Sequence, residues 1–170
     1  KSFFNIFKLI NKKKYLSFQK KTFSGISTEL ESLMKKKLNL MVPNRKFASI
    51  FTGGVDSSVI SALLNKLKKP NLLACLDHKN KDNTISKTKI MSRNLNNIFF
   101  TLNITSKQYF KYLKKVYVLL CHPFSTHDFI GRFQISEYFK RKKCKVYFVG
   151  DGADELFGGY EKYKKNIWIN

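Results

Sequence analysis

Short apolar segments alternate with longer amphipathic segments along this chain, and this alternation constrains its fold more than any other feature. Four segments have the length and composition of buried strands: 46–51, 71–76, 97–104 and 144–149. Apolar residues at helical spacing predict helices over 26–41, 56–69, 83–95, 106–120 and 128–142. Ser27 or Thr28 is predicted to cap the first helix, and Ser106 to open the fourth. The order predicts an α/β fold with a doubly wound parallel sheet of about four to five strands.

The charge of the chain raises the question of nucleic-acid binding. The net charge is +22, from 33 basic and 11 acidic residues, and basic surfaces bind phosphate backbones. However, the arginines that best recognise phosphates and bases are few: Arg45, Arg93, Arg132 and Arg141. The lysines are scattered in pairs and triplets. We therefore expect a solvated lysine surface rather than a nucleic-acid interface, and no membrane partner.

The cysteines and histidines indicate neither a disulfide framework nor a zinc site. The three cysteines, Cys75, Cys121 and Cys144, form no CxxC pair, so reduced thiols and a cytoplasmic location are expected. The histidines lack the helical spacing of a zinc enzyme: His78, His122 and His127. Residues 1–25 are basic and aromatic without a clear period, and we interpret them as a linker or the tail of a missing upstream domain.

The segment "FTGGVDSSV", residues 51–59, lies between a predicted strand and a predicted helix. Unbonded amides at a helix N-terminus favour an anion. The glycines permit a tight turn, and the nearby hydroxyls can donate to phosphate oxygens. Asp56 fits beside a phosphate if a cation such as Mg²⁺ lies between them. The segment lacks the lysine of a Walker A motif.

A second glycine-rich segment, "GDGADELFGGY" at 150–160, follows the last predicted strand. Asp151, Asp154 and Glu155 repel one another unless they cap a helix or bind a cation. One capped turn would account for one acid only. The sequence therefore predicts a metal site shared with Asp56.

Together, "FTGGVDSSVISALL" and "VYFVGDGADELFGGYEKY" resemble the synthetase domain of glutamine-hydrolysing asparagine synthetases and their relatives, including β-lactam synthetases. The resemblance covers about residues 26–163. It implies a pyrophosphate-loop fold similar to that of the adenine nucleotide alpha hydrolases, with residues 26–170 forming its N-terminal portion.

The resemblance also implies a reaction. A carboxylate attacks the α-phosphorus of ATP, pyrophosphate leaves, and ammonia or an amine attacks the acyl-adenylate. It implies that Asp56 and Asp154 bind Mg²⁺ and that Asp151 is catalytic. The residues implied to bind ATP and its pyrophosphate are Phe51, Thr52, Gly53, Gly54, Asp56, Ser57, Ser58, Val149 and Gly150. Ammonia would come from glutamine through a missing glutaminase domain, so residues 1–170 alone are not expected to turn over.

Two other functions are open at this point. A tRNA-modifying pyrophosphate-loop enzyme would use the positive charge, although such enzymes lack "DGADELFGGY". A non-catalytic nucleotide-binding fragment would keep the loops without the reaction. Within the amide-forming family, the acceptor is open among aspartate, sugars and peptides.

Overall fold

The structure is a computed structural model that describes residues 11–67, 72–77, 84–95, 97–103, 105–124 and 128–166. The chain divides into two compact units, Lys1–Met41 and Val42–Asn170. None of the helices among these residues is long and apolar enough to cross a membrane.

Two helices, α1 (Lys12–Gln19) and α2 (Phe23–Met41), occupy the described part of the first unit. The side chain of Thr22 accepts a hydrogen bond from the Gly25 amide at 3.2 Å, so α2 begins earlier than predicted. The predicted caps were wrong, because the hydroxyls of Ser27 and Thr28 both donate to the Ser24 carbonyl instead. Helix α1 lies within residues 1–25, and their role as a linker or tail stays a prediction.

The second unit contains a four-stranded parallel sheet in the order β3-β2-β1-β4. The strands are β1 (Ala48–Ile50), β2 (Leu72–Asp77), β3 (Ile98–Asn103) and β4 (Tyr147–Phe148). Ala48 pairs with Leu72 on one side and with Tyr147 on the other. The predicted α/β class and parallel sheet are confirmed.

Helices connect and flank these strands: α3 (Val55–Lys66), α4 (Thr84–Asn94), α5 (Ser106–Leu120) and α6 (Asp128–Arg141). All four were predicted, with ends within about three residues of those in the structure. Two short helices after β4 were not predicted: α7 (Ala153–Phe157) and α8 (Glu161–Asn166).

The core of the second unit lies where α6 packs on the sheet. Ala48, Leu72 and Ala74 supply the strand side of one buried cluster. Ile135 and Phe139 supply the helix side. Ala48 and Ala74 leave room for the larger helical side chains, which gives the close packing that protein interiors require.

The strand order also fixes where a ligand can bind. From β1 the chain proceeds outward through β2 to β3, and then returns to place β4 on the opposite side of β1. A crevice forms at such a reversal, beyond the carboxyl ends of the two strands that meet there, β1 and β4. Both glycine-rich loops begin at these two strand ends.

Candidate functional site

A cavity of about 630 Å³ opens beyond the carboxyl ends of β1 and β4. Its walls come from the loop after β1, the loop after β4 and the first turns of α6. The wall also includes apolar side chains from the strands and from α4, among them Ile50, Cys75 and Ile85. The cavity therefore combines an apolar surface with a polar one.

The loop after β1 is held in shape by the side chain of Ser57. The Ser57 hydroxyl accepts a hydrogen bond from the Thr52 amide at 3.2 Å and donates to the Gly54 carbonyl at 3.2 Å. It also lies 3.0 Å from the Thr52 hydroxyl. Ser57 is only 8% exposed, so its hydroxyl lies within the loop and fixes the loop backbone by these hydrogen bonds.

Helix α4 holds the same loop through the side chain of Thr88. The Thr88 hydroxyl donates to the Thr52 carbonyl at 3.2 Å. At Gly53, φ is +82°, and an added Cβ would lie 2.4 Å from the Thr88 hydroxyl oxygen. Glycine is required there both for the backbone angle and for the close approach of Thr88.

The N-terminus of α3 faces the cavity without a side-chain cap. Gly54 holds the N-cap position in an extended conformation, with no side-chain cap hydrogen bond. Asp56 lies in the first turn of this helix, half-buried and lining the cavity. The first amides of an α-helix have no partner within the helix, so this end can receive an anion.

Contact between the two loops depends on Gly150. A Cβ at this position would lie 2.8 Å from Asp56 Cβ and 2.9 Å from the Ser57 amide nitrogen. The backbone that follows β4 therefore lies directly against the start of α3. Glycine permits this approach because it has no side chain.

The loop after β4 presents three acidic residues and a tyrosine to the cavity. Gly152 and Gly158, with φ of +90° and +69°, bracket α7. A Cβ at Gly159 would lie 2.0 Å from Asp154 Oδ1. The Tyr160 hydroxyl donates to Glu155 Oε1 at 2.6 Å, which raises the pKa of Tyr160 to about 12 and lowers that of Glu155.

Arg132 is a site residue that the sequence analysis did not assign. Its guanidinium donates to both oxygens of Asp151, at 2.5 and 2.9 Å. This hydrogen bond lowers the pKa of Asp151 and raises that of Arg132. The available signal was a rare arginine in the helix just before the second loop, but nothing local indicated its partner.

Most of the predicted site residues lie together. Those that line the cavity are Thr52, Gly54, Asp56, Ser57, Val149, Gly150, Asp151 and Asp154. Three others are directed elsewhere. The Phe51 ring is fully buried against Phe99, Gly53 faces Thr88, and the buried Ser58 hydroxyl has no hydrogen-bond partner among the described residues.

Among the described residues, no cysteine or histidine side chain lies with the acidic residues at the polar wall of the cavity. The three cysteines all lie among the described residues and form no disulfide; Cys75 and Cys144 are buried and Cys121 is exposed. The exposed His122 ring bonds to the Pro123 carbonyl. His78 and His127 lie outside the described residues.

The carboxylates of the cavity suit a metal ion that takes its remaining ligands from a bound phosphate and water. In the described part of the chain, no group of three or more acidic, histidine or cysteine side chains is arranged to hold a metal ion. Mg²⁺ is commonly bound by one or two carboxylates, with phosphate and water as the remaining ligands. Asp56 and Asp154, which both line the cavity, fit that pattern.

Comparisons with known proteins identify the family of the chain. The family model described as "Asparagine synthase" matches residues 29–170. The chain is 27% identical over 160 residues to an asparagine synthetase domain-containing protein of Drosophila melanogaster, covering 79% of this chain and 28% of the relative. It is 25% identical over 155 residues to a glutamine-hydrolysing asparagine synthetase of Gallus gallus, covering 84% of this chain and 26% of the relative. The chain thus spans about a quarter of the length of these relatives. It belongs to the asparagine synthase family, whose members have a pyrophosphate-loop fold and use ATP for amidation.

Proposed function

We propose that the protein containing this chain is an asparagine synthase-type ligase, or a closely related amidotransferase, that forms an amide through an acyl-adenylate and releases AMP and pyrophosphate. One observation carries this proposal: Gly150 packs against Asp56 and Ser57, so the two glycine-rich loops surround one cavity. Neither loop alone would provide both a phosphate site and an acidic wall.

The loop after β1 would hold the phosphates of ATP. Its backbone is fixed in advance by Ser57 and Thr88, and the uncapped amides of α3 face the cavity. Hydrogen-bond donors that are already in place stabilise developing charge without reorganisation. The fixed loop would therefore favour the growing charge of a departing pyrophosphate.

The apolar wall would hold the nucleoside part of ATP. Ile50, Cys75 and Ile85 line the cavity, and nucleotide pockets combine apolar walls with a few polar groups. Because the Phe51 ring is buried, Phe51 would contribute through its position in the backbone. Val149 and Gly150 would border the same part of the site.

Asp56 and Asp154 would hold Mg²⁺, one from each loop. When bound, the ion would neutralise phosphate charge that the carboxylates alone would repel. The chain would thereby bind ATP as its magnesium complex.

Asp151 would act after adenylate formation. Arg132 keeps the pKa of its carboxyl low, so Asp151 is ionised at neutral pH. A carboxylate at the cavity wall can accept a hydrogen bond from the attacking nitrogen and stabilise the positive charge that develops there. The acceptor carboxylate, whether of aspartate, a sugar or a peptide, would lie between Asp151 and the α-phosphate, and ammonia from glutamine would require a glutaminase domain.

The nucleotide product tests the reaction class. The protein that contains this chain is incubated with ATP, Mg²⁺, aspartate and ammonium, and the nucleotides are separated by chromatography. AMP with pyrophosphate is expected. ADP as the main product would contradict the adenylate mechanism.

Asp56→Asn tests the shared metal site. Removing one anionic ligand should weaken Mg·ATP binding at least about tenfold, or about 1.4 kcal/mol, as measured by isothermal titration calorimetry. Glu161→Gln, an exposed acid in the first turn of α8, is the matched control and should leave the affinity unchanged. Equal affinity in Asp56→Asn and wild type would rule out the paired carboxylate site.

A further inference from the structure

Helix α6 is attached to β4 and to the loop that follows it through one face. The Ser136 hydroxyl donates to the Arg132 carbonyl at 2.8 Å and lies 3.1 Å from the Tyr147 hydroxyl at the start of β4. One turn earlier on the same face, the Arg132 side chain holds Asp151 after the end of β4. The orientation of Asp151 is therefore set from α6 as well as from its own loop.

The Arg132–Asp151 ion pair is too exposed to contribute much to the free energy of folding. The two side chains are 42% and 55% exposed, and exposed ion pairs contribute little to folding because water screens them. A bidentate arginine contact nevertheless fixes both oxygens of a carboxylate in one plane. Its main consequence is the direction in which Asp151 faces the cavity.

The loop restrains Asp151 on one side only. Gly150, before Asp151, packs against the start of α3, whereas a Cβ at Gly152, after Asp151, would have no atom within 4 Å. The glycine at 152 leaves many backbone conformations accessible on that side. Without Arg132, no described hydrogen bond to the Asp151 side chain would restrict its orientation.

Arg132 is a basic side chain surrounded by acidic ones. Five carboxylates line the cavity, at Asp56, Asp128, Asp151, Asp154 and Glu155, and Arg132 is the one basic side chain among its described lining residues. Electrostatic interactions with Asp128 and Tyr147 also raise the pKa of Arg132. The interaction with Asp151 partly opposes the lowering of the pKa of Glu155. Replacing Arg132 by a neutral residue would leave Asp151 with no basic side chain among the described lining residues.

We propose that Arg132 is a positioning residue, whose two-point contact holds the Asp151 carboxylate in the orientation needed for attack of the nitrogen nucleophile on the acyl-adenylate. This inference rests on the proposed function. It predicts that loss of Arg132 affects the two half-reactions differently. Adenylate formation depends on the phosphate loop and should survive loss of Arg132. Amide formation depends on Asp151 and should not.

The test compares Arg132→Gln and Arg132→Lys in the protein that contains this chain, with aspartate and ammonium as the substrates. Arg132→Gln should keep Mg·ATP affinity and aspartate-dependent pyrophosphate exchange within about threefold of wild type, while amide formation falls at least about tenfold. Arg132→Lys keeps the charge but loses the fork, so it should recover part of the amide rate. Arg141→Gln, at the exposed end of α6, is the control and should match wild type.

A second measurement needs no turnover. The Asp151 carboxyl is titrated by ¹³C NMR, and its pKa should lie below the ordinary value in wild type and rise in Arg132→Gln. If wild type produces no pyrophosphate with aspartate and ammonium, the proposed function fails for that acceptor, and the NMR titration alone decides the contact. The proposal is overturned if the titration of Asp151 is the same with and without Arg132. It is also overturned if Arg132→Gln reduces exchange and amide formation equally, or reduces neither.

Discussion

At the scale of single residues, Gly150 is the position on which contact between the two loops depends. The atoms that an added Cβ would meet include the Asp56 carbonyl carbon at 3.0 Å and the Ser57 amide nitrogen at 2.9 Å. Both are backbone atoms in the first turn of α3, and they cannot move without disturbing that helix. A methyl group here would separate the loops or strain them.

Gly150→Ala should therefore lower the free energy of unfolding by about 1–3 kcal/mol, the usual cost of overpacking, as measured by urea denaturation. Gly54→Ala is a matched control from the opposing loop. Its Cβ would make an ordinary contact, 3.5 Å from the Thr52 hydroxyl oxygen, and its φ of −71° suits any residue. The control should cost less than about 1 kcal/mol, the range for an N-cap change, and equal losses in both variants would argue against a tight contact at Gly150.

At the scale of elements, the start of α5 shows how one residue decides where a helix begins. Thr105 accepts a hydrogen bond from the Gln108 amide at 3.3 Å, and its own amide donates to the Gln108 side chain at 3.0 Å. This reciprocal capping box makes Thr105 the N-cap. Ser106, which was expected to open the helix, is its first residue.

Thr105→Ala should lower the free energy of unfolding by about 1 kcal/mol, since it removes the side chain that satisfies an orphan amide. Ser106→Ala should stay within about 0.5 kcal/mol of wild type, as exposed substitutions usually do. Urea denaturation of the two variants distinguishes them. A larger loss of stability for Ser106→Ala than for Thr105→Ala would indicate that Ser106, and not Thr105, is the N-cap.

At the scale of the whole molecule, charge is unevenly distributed. The chain has a net charge of +22 and 11 acidic residues, yet five of those acids line one cavity together with Arg132. The general positive field can attract an anionic ligand toward the molecule. The acidic wall would then repel the phosphates of ATP unless a cation accompanies them.

ATP should therefore bind at least about tenfold more weakly when EDTA removes Mg²⁺, a difference of about 1.4 kcal/mol. Isothermal titration calorimetry at matched ionic strength measures the effect, and restoring excess Mg²⁺ should restore the affinity. Equal binding of free ATP and Mg·ATP would mean that the acidic wall does not lie at the phosphates.

The sequence by itself determined the features that depend on neighbouring residues. Apolar periodicity located the strands and four helices of the second unit, because a strand and a helix repeat with different periods. Glycines and hydroxyls between a strand and a helix identified the loop after β1, because helix ends leave amides without partners. The same local reasoning missed the short α7, which lies within the second glycine-rich segment.

Only the tertiary structure decided which distant residues meet. The strand order β3-β2-β1-β4 joins the loops after β1 and β4, and no local pattern encodes which strands become neighbours. Arg132 reaches Asp151 across 19 positions, and Thr88 reaches the Thr52 carbonyl across 36. Phe51 and Thr52, which follow β1, also differ through tertiary contacts: the Phe51 ring is buried against Phe99 of β3, whereas Thr52 is exposed at the cavity.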